Sequence, residues 1–328
     1  MSSRRDLIAR AGTLALVLAL PLSAVAQTTV LKAADVHPAG HPSVVAIENL
    51  GGKLQAGSQG RYKVHSYPGG VFGSEREIVE QAQAGTIQIA RISPGALASV
   101  VPELSVLRMP FMFRSEAHMR KVIDGEIGEW LLERITASPA RLVALGWMDS
   151  GAHGLSTRKP VRSITDLKGQ KIRTMGSPPS VDALNAMGAD GVSMSPSEVS
   201  RALQSGSLDG TENNPSTLYT SGQYTAGIKQ FTQTQHLIVP DIVVMSRLTW
   251  DKMGKDNQAL LRKFSREAQK EQRALWDRRV ADHTAKLKAA GIAFVSLDQK
   301  PFIEATAPMR AKDVAPHDEL IKRIEAVR

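Results

Sequence analysis

The 328-residue chain contains no cysteine. That excludes disulfides, thiolate metal sites and a cysteine nucleophile, so stability must come from a packed core. Aromatic residues make up only 5%, too few to supply the stacking platforms that single-stranded nucleic acids need. Nucleic acid is therefore not expected as a partner. Past the N-terminal region no apolar run is long enough to span a bilayer. No Gly-x-Ser-x-Gly, P-loop or Gly-x-Gly-x-x-Gly occurs. Ser156-Thr157-Arg158-Lys159 matches the Ser-x-x-Lys spelling of some acyl-enzymes, but it stands in a polar loop before Pro160 without a partner motif. An enzyme is not expected. His37 and His41 are separated by Pro38 and Gly40, so they do not share a helix, and no third ligand stands nearby. Neither a metal nor a cofactor is expected.

What is present begins with an export signal. Arg4, Arg5 and Arg10 precede an apolar run from Leu14 to Val25, and Ala24-Val25-Ala26 has the small residues of a cleavage site. Residues 1–26 are expected to be removed, leaving 302 residues, about two domains in length. Ser3-Arg4-Arg5-Asp6-Leu7-Ile8 also resembles a twin-arginine box; an ordinary secretory signal holding two arginines remains open. The expected location is the periplasm. Net charge is +9, and loss of the leader's three arginines and one aspartate leaves +7. A basic exported chain favours an acidic small molecule or anionic lipid.

Short β-prone runs alternate with amphipathic helices, which argues for an α/β fold. Strands are expected at Val30–Ala34, Tyr62–Tyr67, Ile87–Ile92 and Leu142–Trp147, with helices at Ser43–Gln55 and from Ser74 to Ala82. Ser74-Glu75-Arg76-Glu77 fits a capping box. A second unit starts near Ser150, with strands at Gly154–Ser156, Lys171–Thr174 and Gly191–Ser193 and helices at Pro179–Met187 and Ser197–Gln204. Leu237–Met245 reads as one apolar strand. Asp256–Ala290 contains no Pro or Gly, is rich in strong helix formers and lacks a clean heptad. It fits a spine helix lying across two domains. The expected division is 27–149 with 238–277, and 150–237 with 278–328.

Arg173 ends an expected strand. A strand-end guanidinium facing a cleft can grip a carboxylate with two parallel hydrogen bonds, although most arginines are solvated. Asn213 and Asn214 offer donors and acceptors for hydroxyls, but Asp209-Gly210 and Asn214-Pro215 are also ordinary turn formers. Glu75 and Arg91 stand at element ends and could equally form a mutual ion pair. His37 closes a strand-to-loop turn, as a hydrogen-bonding group at a cleft mouth or as a structural cap.

A series of phrases, in order, resembles the DctP-type extracytoplasmic solute receptors of tripartite ATP-independent periplasmic (TRAP) transporters. They are Ala34-Asp35-Val36-His37-Pro38, Gly73-Ser74-Glu75-Arg76-Glu77, Met109-Pro110-Phe111-Met112-Phe113, Asp166-Leu167-Lys168-Gly169-Gln170-Lys171-Ile172-Arg173, Glu198-Val199-Ser200-Arg201-Ala202-Leu203-Gln204 and Asp209-Gly210-Thr211-Glu212-Asn213-Asn214-Pro215. The resemblance covers nearly the whole expected mature chain. It implies a two-domain, Venus-flytrap periplasmic binding protein with a long helix spanning both domains. It further implies that Arg173 holds a ligand carboxylate and that Asn213 helps close on it. The uronate-binding branch is most similar, at His37, Glu75, Arg91 and Asn213-Asn214. In many relatives a second arginine stands where this chain has His153, within Asp149-Ser150-Gly151-Ala152-His153-Gly154. The expected ligand is a uronate or other sugar acid, with a C4-dicarboxylate or other organic acid as the alternative. The expected partners are the small and large membrane subunits of the transporter, and the receptor itself is expected to be a monomer.

Overall fold

The structure, a computed structural model, describes residues 28–174, 178–314 and 316–328. The expected leader, its cleavage site and the paired arginines lie outside the described residues.

Two sheets organise the chain. The first contains β1 (Thr29–Ala34), β2 (Tyr62–Tyr67), β3 (Ile89–Ile92), β4 (Leu142–Met148) and the much later β10 (Asp241–Ser246), in the order β2-β1-β3-β10-β4. β1, β2 and β3 run parallel, joined by crossovers through α1 (Pro42–Gly57) and α2 (Glu75–Gln83); β10 enters antiparallel between β3 and β4. The capping box at α2 forms: Glu77 Oε2 accepts from Ser74 N at 2.7 Å. All seven residues of β4 are buried because it has a core on each face. Leu142 and Ala144 join the core under α3 (Glu116–Asp124) and α4 (Glu126–Ala137), while Val143 and Leu145 face the other core with α1. The alternation reverses at Trp147 and Met148, after the register shift opposite Val243 and Val244.

The second sheet holds β5 (Ala152–Thr157), β6 (Lys171–Thr174), β7 (Asp190–Ser193), β8 (Gly210–Asn213), β9 (Gln230–Ile238) and β11 (Ala293–Val295), in the order β11-β9-β5-β8-β6-β7. It is covered by α5 (Pro178–Ala186), α6 (Pro196–Ser205), α7 (Pro215–Thr220) and α10 (Lys300–Val314).

The single strand expected over 237–245 is two strands in different sheets. Val239-Pro240 breaks it, and the chain passes from β9 in one sheet to β10 in the other. A continuous apolar run has no period to mark such a crossing, and the missing Pro240 N–H was the local sign of it. β8, for which no strand is expected from the sequence, lies between the turn formers Asp209-Gly210 and Asn214-Pro215 and is a fully buried strand between β5 and β6. After the short α8 (Arg247–Trp250) comes α9 (Lys255–Ala289), 35 residues and about 50 Å long. Leu261 and Ala268 pack with β4 and α1 in the first lobe, and Leu287 packs in the second. The last helix, α11 (Asp318–Ala326), was expected with the second domain. Leu320 and Ile324 instead join the first lobe's core, and Arg114 there donates to Glu325 O at 2.9 Å.

The first crossing between lobes runs from Asp149 to Gly151 and is pinned to α9. Gln272 accepts from Asp149 N at 2.9 Å and donates to Asp149 O at 2.8 Å. Arg120 Nε donates to the Asp149 carboxylate at 2.6 Å. Gly151 adopts φ +87°, and a Cβ there would lie 2.6 Å from the Trp276 ring. Both the backbone twist and the close helix approach require glycine.

Candidate functional site

The first-lobe half of the site is a buried ion cluster where β1, β3 and β10 lie side by side. Arg91, on β3, is 2% exposed. Its Nε and Nη2 donate to Asp35 Oδ1 at 3.1 and 3.0 Å, and its Nη1 donates to Glu75 Oε1 at 2.7 Å. Asp241 Oδ2 lies 3.3 Å from Nη1. Burial alone would lower the Arg91 pKa, but Asp241, Asp35 and Glu75 together raise it. The mutual ion pair of Glu75 and Arg91 therefore forms, with two more carboxylates around the same guanidinium. Glu75 Oε2 accepts from Ser93 N and Oγ at 3.1 and 2.6 Å, so both its oxygens are engaged.

His37 joins this cluster through Asp35, its Nδ1 lying 3.0 Å from Oδ1. Its ring stacks on His41 with centroids 3.8 Å apart. His41 Nδ1 lies 2.8 Å from Ser43 Oγ, which donates to Asp35 Oδ2 at 2.7 Å. Burial, and then the charge on His37, push the His41 pKa down to about 2, so its ring stays neutral.

The second-lobe half centres on Glu212, on β8. Its carboxylate accepts from His153 Nδ1 on β5 and from Thr174 Oγ1 at 2.7 Å on β6, and His236 Nε2 on β9 lies 3.6 Å away. Burial would raise the Glu212 pKa, but His153 and His236 hold it well below the usual carboxylate range. Burial would likewise lower the His153 pKa, and Glu212 with Asp241 raises it. Asp241 also attracts His37, so this residue ties the two halves electrostatically.

Arg173 is 3% exposed and stands one strand from Glu212. Its Nε and Nη2 both donate to Met194 O, at 2.9 and 2.8 Å. Burial lowers its pKa, and Glu212 opposes the shift. Among the described residues no carboxylate lies within ion-pair distance of it. Arg91 and Arg173 thus differ: one buried cation is surrounded by anions, the other is not.

Asn213 and Asn214 divide in role. Asn214 caps α7, accepting from Thr217 N at 2.8 Å, and its Nδ2 donates to Ser150 O at 3.2 Å in the interlobe crossing. Asn213 Oδ1 accepts from Asn214 N at 2.8 Å. Its Nδ2 makes no hydrogen bond among the described residues, so it keeps donors for another group.

Sequence reasoning named His37, Glu75 and Arg91 in the first half and His153 and Arg173 in the second, and missed the groups that join them. Asp35 and Glu212 lie inside quoted phrases, yet nothing local marks them as hubs. Asp241, Thr174 and His236 carry no motif. Asp241 is raised to about 6, because its burial outweighs the attraction of Arg91. An acid raised in the fold binds protons that the unfolded chain has released. Stability should therefore fall as pH rises from about 4 to about 6 through this group. Asp241→Asn is expected to remove that component, read from urea midpoints across pH 4 to 7; an unchanged profile counts against it.

Comparison with known proteins gives a consistent picture. The family described as DctP, bacterial extracellular solute-binding protein family 7, matches residues 33–315. A TRAP periplasmic solute-binding protein from Pseudomonas putida F1, solved with bound D-glucuronate, is 50% identical. The match covers 92% of this chain and 98% of that one, with a TM-score of 0.85. A similar protein from Citrobacter koseri has been solved apo and open, at 42% identity and TM-score 0.86 over 90% of this chain and 98% of that one. It has also been solved with bound D-glucuronate, at 43% identity and TM-score 0.84 over 92% and 100%. A solute-binding protein from Chromohalobacter salexigens is 30% identical over 94% of this chain and 92% of its own length.

Proposed function

Because the chain belongs to the DctP family of bacterial extracellular solute-binding proteins, we propose that it is a TRAP receptor that captures a hexuronate between its lobes. One observation carries this reading: Arg173 is a buried guanidinium with no carboxylate beside it among the described residues. A buried cation without a counter-ion is costly, and a ligand carboxylate supplies one. The identity to a protein solved with D-glucuronate supports a sugar acid as the source of that charge.

In this reading Arg173 grips the carboxylate and Asn213 donates to it or to a neighbouring hydroxyl. His37, still 29% exposed through its side chain, reads hydroxyls from the first lobe. Glu75 and Arg91 hold each other, so their part is to shape the first-lobe wall. His153 is oriented by Glu212 and lends its remaining edge. Asn214 serves the crossing that links the lobes. The lobes are taken as 27–149 with 238–277 and 150–237 with 278–317, and 318–326 is assigned to the first because Leu320 and Ile324 pack in its core. Closure is a hinge motion at the crossings. The loaded receptor then meets the small and large membrane subunits, and the leader sends it to the periplasm.

The protein is a binder by this reading. Ser216 Oγ does lie 3.0 Å from His283 Nδ1, the contact an exported hydrolase would need. Both residues are buried, and Arg279 also donates to Ser216 Oγ at 3.2 Å, so the pair packs α7 on α9.

A thermal-shift screen tests the ligand class. D-Glucuronate or D-galacturonate at about 100 times Kd should stabilise the fold by about 2.7 kcal/mol, a rise of several degrees. Succinate should give none. A response to succinate alone would move the assignment to dicarboxylates, and silence toward every acid would refute the reading.

A further inference from the structure

Arg108 ends a 3-10 segment, Pro102–Arg108, in the first lobe. Its guanidinium lies against Gly95, where a Cβ would come within 2.7 Å of Nη1 and 3.0 Å of Cζ. Any larger residue at 95 would displace it. Burial lowers the Arg108 pKa and Glu75 attracts the cation. Arg108 lines a cavity with Pro110 of its own lobe and with Pro179, Ser180, Glu212 and His236 of the second. Glu212 is the carboxylate that attracts Arg173 and holds His153. Arg108 therefore shares a cavity from the first lobe with Glu212, the second-lobe carboxylate that also attracts Arg173.

We propose that Arg108 is a second cationic contact for the ligand carboxylate, supplied by the first lobe in place of the cation that the second lobe lacks at His153. The inference rests on the sugar-acid reading above. His153 directs Nδ1 to Glu212, so its charge is already matched within its own lobe. A carboxylate has about four lone-pair sites. Arg173 has two of its donor groups on Met194 O and cannot fill them all. Unfilled acceptors on a buried anion are costly. Arg108 meets the ligand only when the lobes come together, so its bonds belong to the closed state and favour it over the open one. Without an anion, two guanidinium groups approaching in a water-poor junction repel. Ligand charge then decides whether closure is favourable.

Calorimetric titration of D-glucuronate and D-galacturonate into wild type, Arg108→Gln and Arg108→Lys tests this, beside unfolding midpoints of the ligand-free proteins. Arg108→Gln should raise Kd by about 10- to 100-fold for the acid that wild type binds. Arg108→Lys should recover part of the loss, because charge returns without the fork. The ligand-free midpoints should stay together. Gly95→Ala, which displaces the guanidinium and keeps its charge, should also weaken binding and provides a second arm should Arg108→Gln fold poorly. A wild type that binds while both Arg108→Gln and Gly95→Ala stay within about threefold of it overturns the Arg108 assignment alone. Lysine no better than glutamine, with lowered midpoints in both, overturns it in favour of a packing role. A wild type that binds neither uronate overturns the sugar-acid reading and this inference with it.

Discussion

Arg173→Ala should weaken uronate binding by about 2–5 kcal/mol, the cost of removing one member of a buried charge pair. At about 1.4 kcal/mol per tenfold, that is roughly 30- to 4000-fold in Kd. The ligand-free protein should not lose stability in proportion. Among the described residues Arg173 has only the Met194 carbonyl as a hydrogen-bond partner, and its cation sits in a buried place without an adjacent anion. Removing it relieves a desolvated charge while leaving one carbonyl short of a donor, two effects that oppose each other. Titration calorimetry with thermal unfolding of the apo protein separates the two. Tight binding by the alanine variant would end Arg173's role as the carboxylate grip. A large fall in apo stability would show that the guanidinium is a structural post.

Arg91→Met should do the reverse and strike the fold first. The methionine keeps much of the volume but leaves Asp35, Glu75 and Asp241 around a vanished cation. Breaking a buried ion network from one side costs about 3–5 kcal/mol. For a chain of this size that corresponds to roughly 5–8 °C in the unfolding midpoint. The loss should depend on pH in a definite sense. Burial would raise the Asp35 pKa, but Arg91 and then His37 hold it well below its ordinary 3.8. A depressed acid contributes stability above its unfolded value, and that contribution is lost as pH falls through the folded value. Without Arg91 the carboxylates can take up protons, so the deficit relative to wild type should be largest near neutrality and shrink toward pH 4. Calorimetric scans at pH 4, 5.5 and 7.5 check this. A deficit that stays constant with pH would mean that lost packing, not charge, is the cause.

The contrast between these two arginines marks where sequence reasoning reached its limit. Each is the third residue of a four-residue strand and follows an apolar residue, and each was expected at the ligand site. Local spacing offered an ion pair with Glu75 as the other reading of Arg91, and that pair is what the fold makes. The deciding groups are distant: Asp35 lies 56 positions before Arg91, and Asp241 arrives on β10 after five of the second sheet's six strands have intervened. A similar gap hid Arg108, whose surroundings combine a glycine in its own lobe with Glu212 and His236 of the other. Asn214, expected at the ligand site beside Asn213, also caps α7 through its side chain at short range. The asparagine-proline turn signal had pointed that way.

Local physics was legible throughout. The capping box at Ser74, the strand at Tyr62–Tyr67 and the unbroken helix over nearly the whole span from 256 to 290 follow from propensities and caps that act within a few residues. The absence of cysteine and the basic charge also belong to the sequence alone. Tertiary structure decided that Val239-Pro240 is a passage between sheets, that α11 returns to the first lobe, and which buried cation is neutralised within the protein. Helix and strand signals are short-ranged, whereas charge pairing in a buried junction depends on groups that meet only after the chain has crossed between its lobes.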